Sequence, residues 1–263
     1  MNEEALNFDK KVKDHLNYCL LNTKNIVEEK IINICLELSN IYSFSQYQTY
    51  PRPSHPLLSK RKEPYFTMVA ILISLRTTLE NEQKATIAFM ERFKNIDDVL
   101  SSNIEEISQN IKCAGMPQNK AKSILEASKF IKSNFDNNWD FIKKMDLAKA
   151  REYILKISGV GEKSADCILE LGLDLPSMVI DVNMLRIVSR IFNMEWAENP
   201  DLSNKKQLTK CKELLENNLS KDGFLFQIIH TLLLVHGKYI CKSMPKCNEC
   251  KIKKYCSFKN QQG

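Results

Sequence analysis

The sequence predicts an all-α protein of two helical domains, and three observations indicate this fold class. Apolar residues recur at three- and four-residue spacing over most of the 263-residue chain, whereas period-two alternation is scarce. Seven glycines and eight prolines leave little room for a turn-dense β-sandwich. The length exceeds that of a usual single domain. We therefore expect eight to ten helices.

The N-terminal region predicts one long or two short amphipathic helices over residues 5–43. The stretch "YPRPSHP", Tyr50–Pro56, ends this pattern because each proline removes a backbone donor and biases its predecessor away from a helix. A boundary is expected near residues 48–63. We predict a continuous domain over residues 64–175, a second domain from residues 1–63 and 176–263, and an active-site cleft between them.

The central region predicts a succession of helices. From Pro64, "YFTMVAILISLRTT" reads as a buried helix, and further helices are expected near 80–93, 97–101, 104–112, 118–134 and 146–156. The later segment "FLFQIIHTLLLVHGKYIC" is apolar on all faces, which is typical of a central helix. Gly237, near its end, is predicted to be a C-terminal cap.

Two helices are preceded by similar glycine turns. "AGMPQNKAKSILE" at 114–126 and "SGVGEKSADCILE" at 158–170 align without gaps at an offset of 44. Chance is an alternative explanation for so short a match. The similarity predicts two helix N-termini that face one ligand.

The second turn suggests phosphate binding. Gly159 and Gly161 can take positive φ, so the backbone can double back and leave its N–H groups free around Val160. Free amides at the start of a helix bind anions such as phosphate. The alternative is an ordinary helix–turn–helix corner followed by a solvent-exposed Lys163.

Charge and targeting signals narrow the class of protein. The net charge is +6. The segment from Lys238 to Lys259 contains seven lysines and one acidic residue, Glu249. This surplus permits a nucleic-acid partner, although a basic tail is commonly only a solvated surface. The start shows no signal peptide and no apolar run could span a bilayer. We expect an intracellular protein of the cytoplasm or nucleoid without membrane association.

Four of the nine cysteines form a compact group. Their intervals of five, two and five residues place four thiolates within sixteen residues, enough for one metal centre: Cys241, Cys247, Cys250 and Cys256. Structural zinc usually shows two C-x-x-C pairs, whereas this group has one. The other five are interpreted as small core residues: Cys19, Cys35, Cys113, Cys167 and Cys211. His230 and His236 are interpreted as hydrogen-bonded core residues rather than ligands.

These motifs occur together in an order that resembles a known family. The chain contains, in order, a helix, "GVG", a second helix, "PSMVIDVNMLRI", and "HGKYIC" with the four cysteines. This order resembles that of the endonuclease III family of DNA glycosylases, in the helix-hairpin-helix superfamily that also carries a Gly-Pro-Asp-type loop. "IKCAGMPQNKA" is similar to the family's "IK.IG...NKA" segment, and the likeness runs from about Pro64 to Cys256. It implies a [4Fe–4S] cluster on the four cysteines, although the family's first interval is commonly one residue longer. It also implies a monomer acting on double-stranded DNA that contains damaged bases or abasic sites.

The resemblance assigns two catalytic residues. Lys163 matches the family's lysine, whose neutral amine attacks sugar C1′; the positive end of a helix and burial would both disfavour the ammonium form. Asp181 matches the family's aspartate, which stabilises the positive charge that grows on the sugar as the base departs. The alternative for Asp181 is an N-cap of the helix that begins near Asn183.

The resemblance also assigns contacts to DNA. Arg76 and Met116 fall at the positions that fill the gap left by an everted base, although the family usually has glutamine and leucine there, and core packing is the alternative for Met116. Further DNA contacts are expected from the hairpin, from the "NKA" segment and from the cysteine loop: Gly159, Val160, Gly161, Asn119, Lys120, Lys242 and Lys246.

The predicted function is a bifunctional DNA glycosylase and AP lyase of base excision repair. It would remove oxidised pyrimidines through a lysine Schiff base and nick the strand by β-elimination. Asp181 is followed by Val182-Asn183 rather than the family's Thr-His, which is reminiscent of an adenine-mismatch branch that generally lacks the lysine. The alternatives are therefore a mismatch or purine-lesion glycosylase, a non-catalytic DNA-binding protein and, more weakly, a zinc-dependent interaction module.

Overall fold

The computed structural model describes residues 3–43 and 63–258, and all regular structure in these ranges is helical. The all-α prediction is confirmed. The helices are α1 (Glu3–Leu21), α2 (Ile26–Ser39), α3 (Pro64–Ser74), α4 (Leu79–Arg92), α5 (Ile96–Leu100), α6 (Ile104–Asn110), α7 (Pro117–Phe135), α8 (Asp140–Lys143), α9 (Leu147–Ile154), α10 (Glu162–Cys167), α11 (Val182–Ile191), α12 (Lys205–Asn218) and α13 (Gly223–Tyr239). Short 3-10 turns cover Lys112–Ala114 and Lys253–Tyr255, and a π-helical turn, Ile168–Gly172, continues α10.

The helices begin where short polar side chains can accept the first backbone N–H groups. Side-chain oxygens of Asn, Asp and Thr accept such a hydrogen bond at eight helix starts, and these residue types are the preferred N-caps. The capping residues are Asn25, Thr78, Asn95, Asn103, Asp146, Asp181, Asn204 and Asp222.

The described residues form two compact units, each with its own core. We call residues up to Leu175, from Glu63 onward, the continuous unit, and the remaining described residues the split unit. In the continuous unit α3 is central, because every residue from Tyr65 to Ile73 is buried. In the split unit α13 is central, buried along most of its length among α1, α2 and α11.

The predicted domain boundary falls largely outside the described residues. It was expected near residues 48–63, and residues 44–62 are not described. The predicted domain ranges therefore stay a prediction. Within the described residues, no helix has both the length and the apolar character required to cross a lipid bilayer.

One predicted helix end is wrong. Gly237 lies inside α13, which continues to Tyr239, so this glycine is not the C-terminal cap. A Cβ at Gly237 would stand 2.6 Å from the Cβ of Asn183 on α11. The position is therefore explained by the close approach of two helices rather than by a turn.

Candidate functional site

The glycine hairpin joins α9 to α10 in the continuous unit. Gly159 has φ +79°, whereas Gly161 has an extended backbone (φ −94°, ψ 179°) directly before α10. A Cβ on Gly159 would lie 2.8 Å from the Cβ of Ser123 on α7. Gly159 is therefore required both for its left-handed backbone and for its close contact with α7.

Polar contacts hold the hairpin in place. The Ser158 hydroxyl donates to Glu126 Oε2 at 2.7 Å, and Arg151 Nε on α9 donates to Asp166 Oδ1 on α10 at 2.8 Å. Asp166 is buried, so this ion pair is more strongly held than an exposed one. The two helices that flank the turn are thereby fixed to each other.

The start of α10 is open to an anion. No side chain of the described residues caps it, and Ala165 N–H is bonded to the Gly161 carbonyl at 2.8 Å. The amides of the first turn have no partner within the helix. Lys163 lies on this turn and is exposed, so the expectation that its amine is buried is wrong for the unbound protein.

The two glycine turns open on one cleft of about 270 Å³ within the continuous unit. Residues from both turns and from the end of α3 line it: Leu72, Leu75, Arg76, Met116, Asn119, Lys120, Ser123 and Gly159. Gly115 (φ +73°) precedes α7 as Gly159 precedes α10. The similarity of the two segments therefore corresponds to two turns at one concave surface.

Arg76 and Met116 share an unusual backbone geometry at this cleft. Both are non-glycine residues with positive φ, 51° and 50°, and both side chains are exposed. The left-handed region costs an ordinary side chain about 1–2 kcal/mol. Met116 is 43% exposed, which excludes the core-packing alternative. This geometry favours the predicted role of both side chains in contacting DNA.

Lys120 is buried, so its predicted role as a DNA contact is wrong. Its side chain is buried, and its Nζ donates to the carbonyls of Ile73 at 2.7 Å and Ala114 at 2.8 Å. Burial lowers the pKa of this amine. Lys120 therefore ties the end of α3 to the turn before α7 rather than contacting phosphate, whereas its neighbour Asn119 is exposed.

Asp181 lies directly before α11 in the split unit and is its N-cap, as the alternative interpretation predicted. Its Oδ1 accepts the Met184 N–H at 2.7 Å, which makes it the N-cap, and the residue is 8% exposed. Its Oδ2 accepts Asn183 Nδ2 at 3.1 Å. The carboxylate is thus fixed in orientation by its own helix.

A polar chain continues from Asp181 to the cysteine loop. The Asn183 Oδ1 accepts Arg186 Nη2 at 2.7 Å, and Arg186 Nε donates to the Cys241 carbonyl at 2.7 Å. Arg186 Nη2 also donates to the Gly237 carbonyl at 3.1 Å. In the sequence, Asn183 is notable only as a departure from the family pattern, and no motif indicates Arg186, which is 55 residues from Cys241.

The four cysteines line one apolar cavity in the split unit, together with side chains such as Ile187 and Ile252. Arg190 Nη1 lies 3.4 Å from Cys241 Sγ, and its guanidinium also donates to the Lys242 and Ser243 carbonyls at 2.6 and 2.9 Å. The arginine therefore holds the first part of the loop against α11.

His236 contacts the cysteine group without being needed as a ligand. Its Nε2 lies 3.5 Å from Cys250 Sγ and its Nδ1 lies 3.2 Å from the Tyr42 hydroxyl. Burial lowers the pKa of His236 to about 4, so the ring is neutral at pH 7. The interpretation of His236 as a hydrogen-bonded buried residue agrees with this geometry, and His230 is also buried.

The donor set is four cysteine thiols that line one cavity. Four thiolates are the ligand set of a [4Fe–4S] cluster, in which each cysteine binds one iron, and also of a structural zinc ion. The residues present therefore fit a thiolate-bound metal centre. Burial raises the pKa of the Cys250 thiol to about 11, with the other three cysteines contributing, and a bound cationic metal centre would offset this effect.

The remaining predicted residues lie at the surface or in the core as follows. Val160 is buried, whereas Lys242 and Lys246 are exposed, and Lys246 Nζ lies 3.6 Å from Glu249. Cys19, Cys35 and Cys211 are buried as expected. Cys113 is exposed and Cys167 is half-buried, so the core assignment is wrong for Cys113.

Similarity to known proteins defines the class. A family model described as the HhH-GPD superfamily of base excision DNA repair proteins matches residues 69–213, more than half of the chain. The chain belongs to this superfamily and, within it, to the endonuclease III family of helix-hairpin-helix glycosylases.

Individual relatives are similar over most of their length. A putative DNA repair glycosylase of Methanocaldococcus jannaschii is 30% identical over 74% of this chain and 86% of its own length. Endonuclease III of Bacillus subtilis is 25% identical over 73% of this chain and 80% of its own. A solved structure of a trapped endonuclease III–DNA covalent intermediate covers 93% of this chain and 95% of its own, with a TM-score of 0.62 and 20% identity, and thus shares the fold.

Proposed function

We propose that this base excision repair protein is a bifunctional DNA glycosylase and AP lyase that removes oxidised pyrimidines. The observation that carries the proposal is an exposed Lys163 in the first turn of α10, which has no side-chain cap and directly follows the glycine hairpin. A trapped covalent intermediate is known for the endonuclease III whose structure shares this fold, which supports covalent chemistry here.

The covalent step would use the Lys163 amine. In its neutral form, Nζ attacks C1′ of the lesion nucleotide, the glycosidic bond breaks, and the base departs with the bonding electron pair and takes up a proton. Loss of a proton from nitrogen and opening of the sugar give a Schiff base. Removal of a C2′ proton then expels the 3′ phosphate, which nicks the strand by β-elimination.

Asp181 would act as a negative charge of fixed orientation. Positive charge grows on the sugar as the base departs, and a carboxylate held by Met184 N–H and Asn183 Nδ2 needs no reorientation at that moment. Its burial strengthens the interaction because water screens it less.

DNA would be positioned by backbone amides and by exposed side chains. The hairpin amides around Gly161 bind a phosphate, and Lys242 and Lys246 add sequence-independent contacts to the backbone. Eversion of the lesion base leaves a gap in the duplex. Arg76 and Met116, exposed on strained backbone at the cleft, are the side chains proposed to fill it.

The four cysteines would hold a [4Fe–4S] cluster. When bound, the cluster supplies a fixed anchor for the loop over residues 241–256. The chain's own residues then connect that loop to the active carboxylate: Arg186 bonds the Cys241 carbonyl, and Asn183 bridges Arg186 to Asp181.

A second candidate is a mismatch or purine-lesion glycosylase, and Asn183 favours it. An asparagine that orients the carboxylate could equally position a water for hydrolysis of the glycosidic bond. In that enzyme Lys163 would have no covalent role.

A panel of duplexes carrying single defined lesions tests the proposal. Base release and strand nicking are scored separately under single-turnover conditions. We expect both activities on oxidised or ring-saturated pyrimidines, with nicking at a pre-formed abasic site. Base release from adenine mismatches without nicking would instead establish the second candidate, and binding without release from any duplex would establish a non-catalytic protein.

A further inference from the structure

A second group of metal-ligating side chains lies in the split unit, formed by α1 and the start of α13. His15 and Cys19 are four residues apart on α1 and therefore share one face of the helix. Asp222 is the N-cap of α13. The ligand atoms of these three residues all lie within 4.8 Å of one another.

The three groups converge on a single ring nitrogen. His15 Nε2 lies 2.9 Å from Asp222 Oδ2 and 3.6 Å from Cys19 Sγ. One nitrogen carries either one proton or one lone pair, so it cannot bond fully to both neighbours. A cation at this point would accept electron pairs from nitrogen, sulfur and oxygen together.

The ligands are held on a rigid framework. Asp222 Oδ1 accepts the Leu225 N–H at 3.0 Å, which leaves Oδ2 to face the histidine. The His15 ring packs against Phe224, with ring centroids 5.0 Å apart. Pre-orientation of this kind lowers the entropic cost of binding a metal.

From this geometry we propose that His15, Cys19 and Asp222 form a site for a zinc-type divalent cation. Imidazole, thiolate and carboxylate are all established zinc ligands, and three protein ligands leave one tetrahedral position for water. The side chains of His15 and Asp222 are 22% and 32% exposed, which provides a route of entry. The bound ion would staple α1 to the start of α13.

Two carboxylates close to the Cys19 thiol, those of Asp222 and Glu28, add negative charge that favours a cation at this point. This site contains none of the four cysteines assigned to the cluster.

The test is a zinc titration of the full chain with its iron in place. The protein is dialysed against buffered free Zn²⁺, and zinc and iron per chain are counted by mass spectrometry for the wild type and three variants: His15→Gln, Cys19→Ser and Asp222→Asn. Asparagine keeps the helix cap but removes the anionic ligand. Cys113→Ser, which changes an exposed cysteine elsewhere, is the matched control.

The expected result is one zinc per chain with unchanged iron in the wild type and in Cys113→Ser. We expect His15→Gln and Cys19→Ser to weaken zinc binding by about 100-fold and Asp222→Asn by about tenfold, in keeping with loss of a metal contact. The proposal is overturned if the wild type retains no zinc, if these variants bind it equally well, or if zinc enters only as iron is lost. The last outcome would locate zinc at Cys241, Cys247, Cys250 and Cys256.

Discussion

Lys120 and Lys163 lie at adjacent positions of two similar helix starts, and they differ in burial and therefore in role. Both follow a glycine turn and begin a helix, yet Lys120 is buried against two carbonyls and Lys163 is exposed. In the alignment at an offset of 44, Lys163 corresponds to the exposed Asn119, and Lys120 corresponds to the buried Ser164. The aligned positions therefore differ in burial in the same way as the two lysines do. Residue type alone predicted that Lys120 contacts DNA, whereas it is buried.

Replacing Lys120 should destabilise the continuous unit. Lys120→Met keeps the length and apolar stem but leaves the Ile73 and Ala114 carbonyls without their donor, at a cost of about 1–3 kcal/mol for each buried group left unsatisfied. Urea unfolding measures the loss. Lys122→Met, on the exposed surface of α7, should change stability by less than about 0.5 kcal/mol, and equal stability of the two variants would refute the structural role.

Replacing Asn183 should impair catalysis while DNA binding is kept. Asn183→Ala removes one donor to Asp181 and one acceptor for Arg186, so the carboxylate is less well fixed. We expect single-turnover base release to fall by about 10- to 100-fold, which corresponds to about 1.4–2.8 kcal/mol. DNA affinity should match that of Val182→Ala, which changes an adjacent exposed residue and serves as the control. Unchanged base release in Asn183→Ala would show that Asn183 does not position Asp181.

At the scale of elements, apolar periodicity predicts the position of several helices well, although eight to ten helices were expected and thirteen are present in the described residues. The predicted ranges 80–93, 97–101 and 118–134 correspond to α4 (Leu79–Arg92), α5 (Ile96–Leu100) and α7 (Pro117–Phe135). Helix α8 is not predictable from apolar periodicity, because four residues are too few to show a helical period. Gly237 was misassigned because its cause, the approach of Asn183, is a tertiary contact.

The two glycines of the hairpin should respond differently to alanine. In Gly159→Ala, the new Cβ meets Ser123 at 2.8 Å on a backbone with positive φ, so we expect a loss of about 1–3 kcal/mol. In Gly161→Ala the Cβ meets nothing within 4 Å and the backbone is extended, so thermal stability should be close to that of the wild type. Equal thermal stability of the two variants would mean that the hairpin is not packed as described.

At the scale of the whole molecule, the sequence predicts functional residues that lie close together in the chain better than the contacts that distant residues make with them. The four cysteines are recognisable because they lie within sixteen residues. Their supporting contacts are not, since Tyr42 and His236 are 194 residues apart and Arg186 and Cys241 are 55 apart. No periodicity or spacing rule relates such pairs.

The cysteine group should determine both metal content and stability of the split unit. Anaerobically purified protein is expected to contain about four irons per chain, and Cys250→Ser should lose iron and lower the melting temperature because a metal ligand is removed. Iron analysis and thermal unfolding check this. Cys113→Ser, an exposed cysteine outside the group, should retain wild-type iron, and stoichiometric zinc in place of iron would contradict the cluster assignment.

Borohydride trapping on abasic DNA tests the central claim, that Lys163 is the nucleophile, most directly. The wild type should form a covalent protein–DNA adduct, and Lys163→Gln should abolish it while affinity for DNA is largely kept, because glutamine has no basic amine. Asp181→Asn should still form adduct slowly on a pre-formed abasic site, although its base release should fall by several orders of magnitude, since the amine is kept and the stabilising charge is lost. Full trapping by Lys163→Gln would contradict the account and assign the chemistry to another amine.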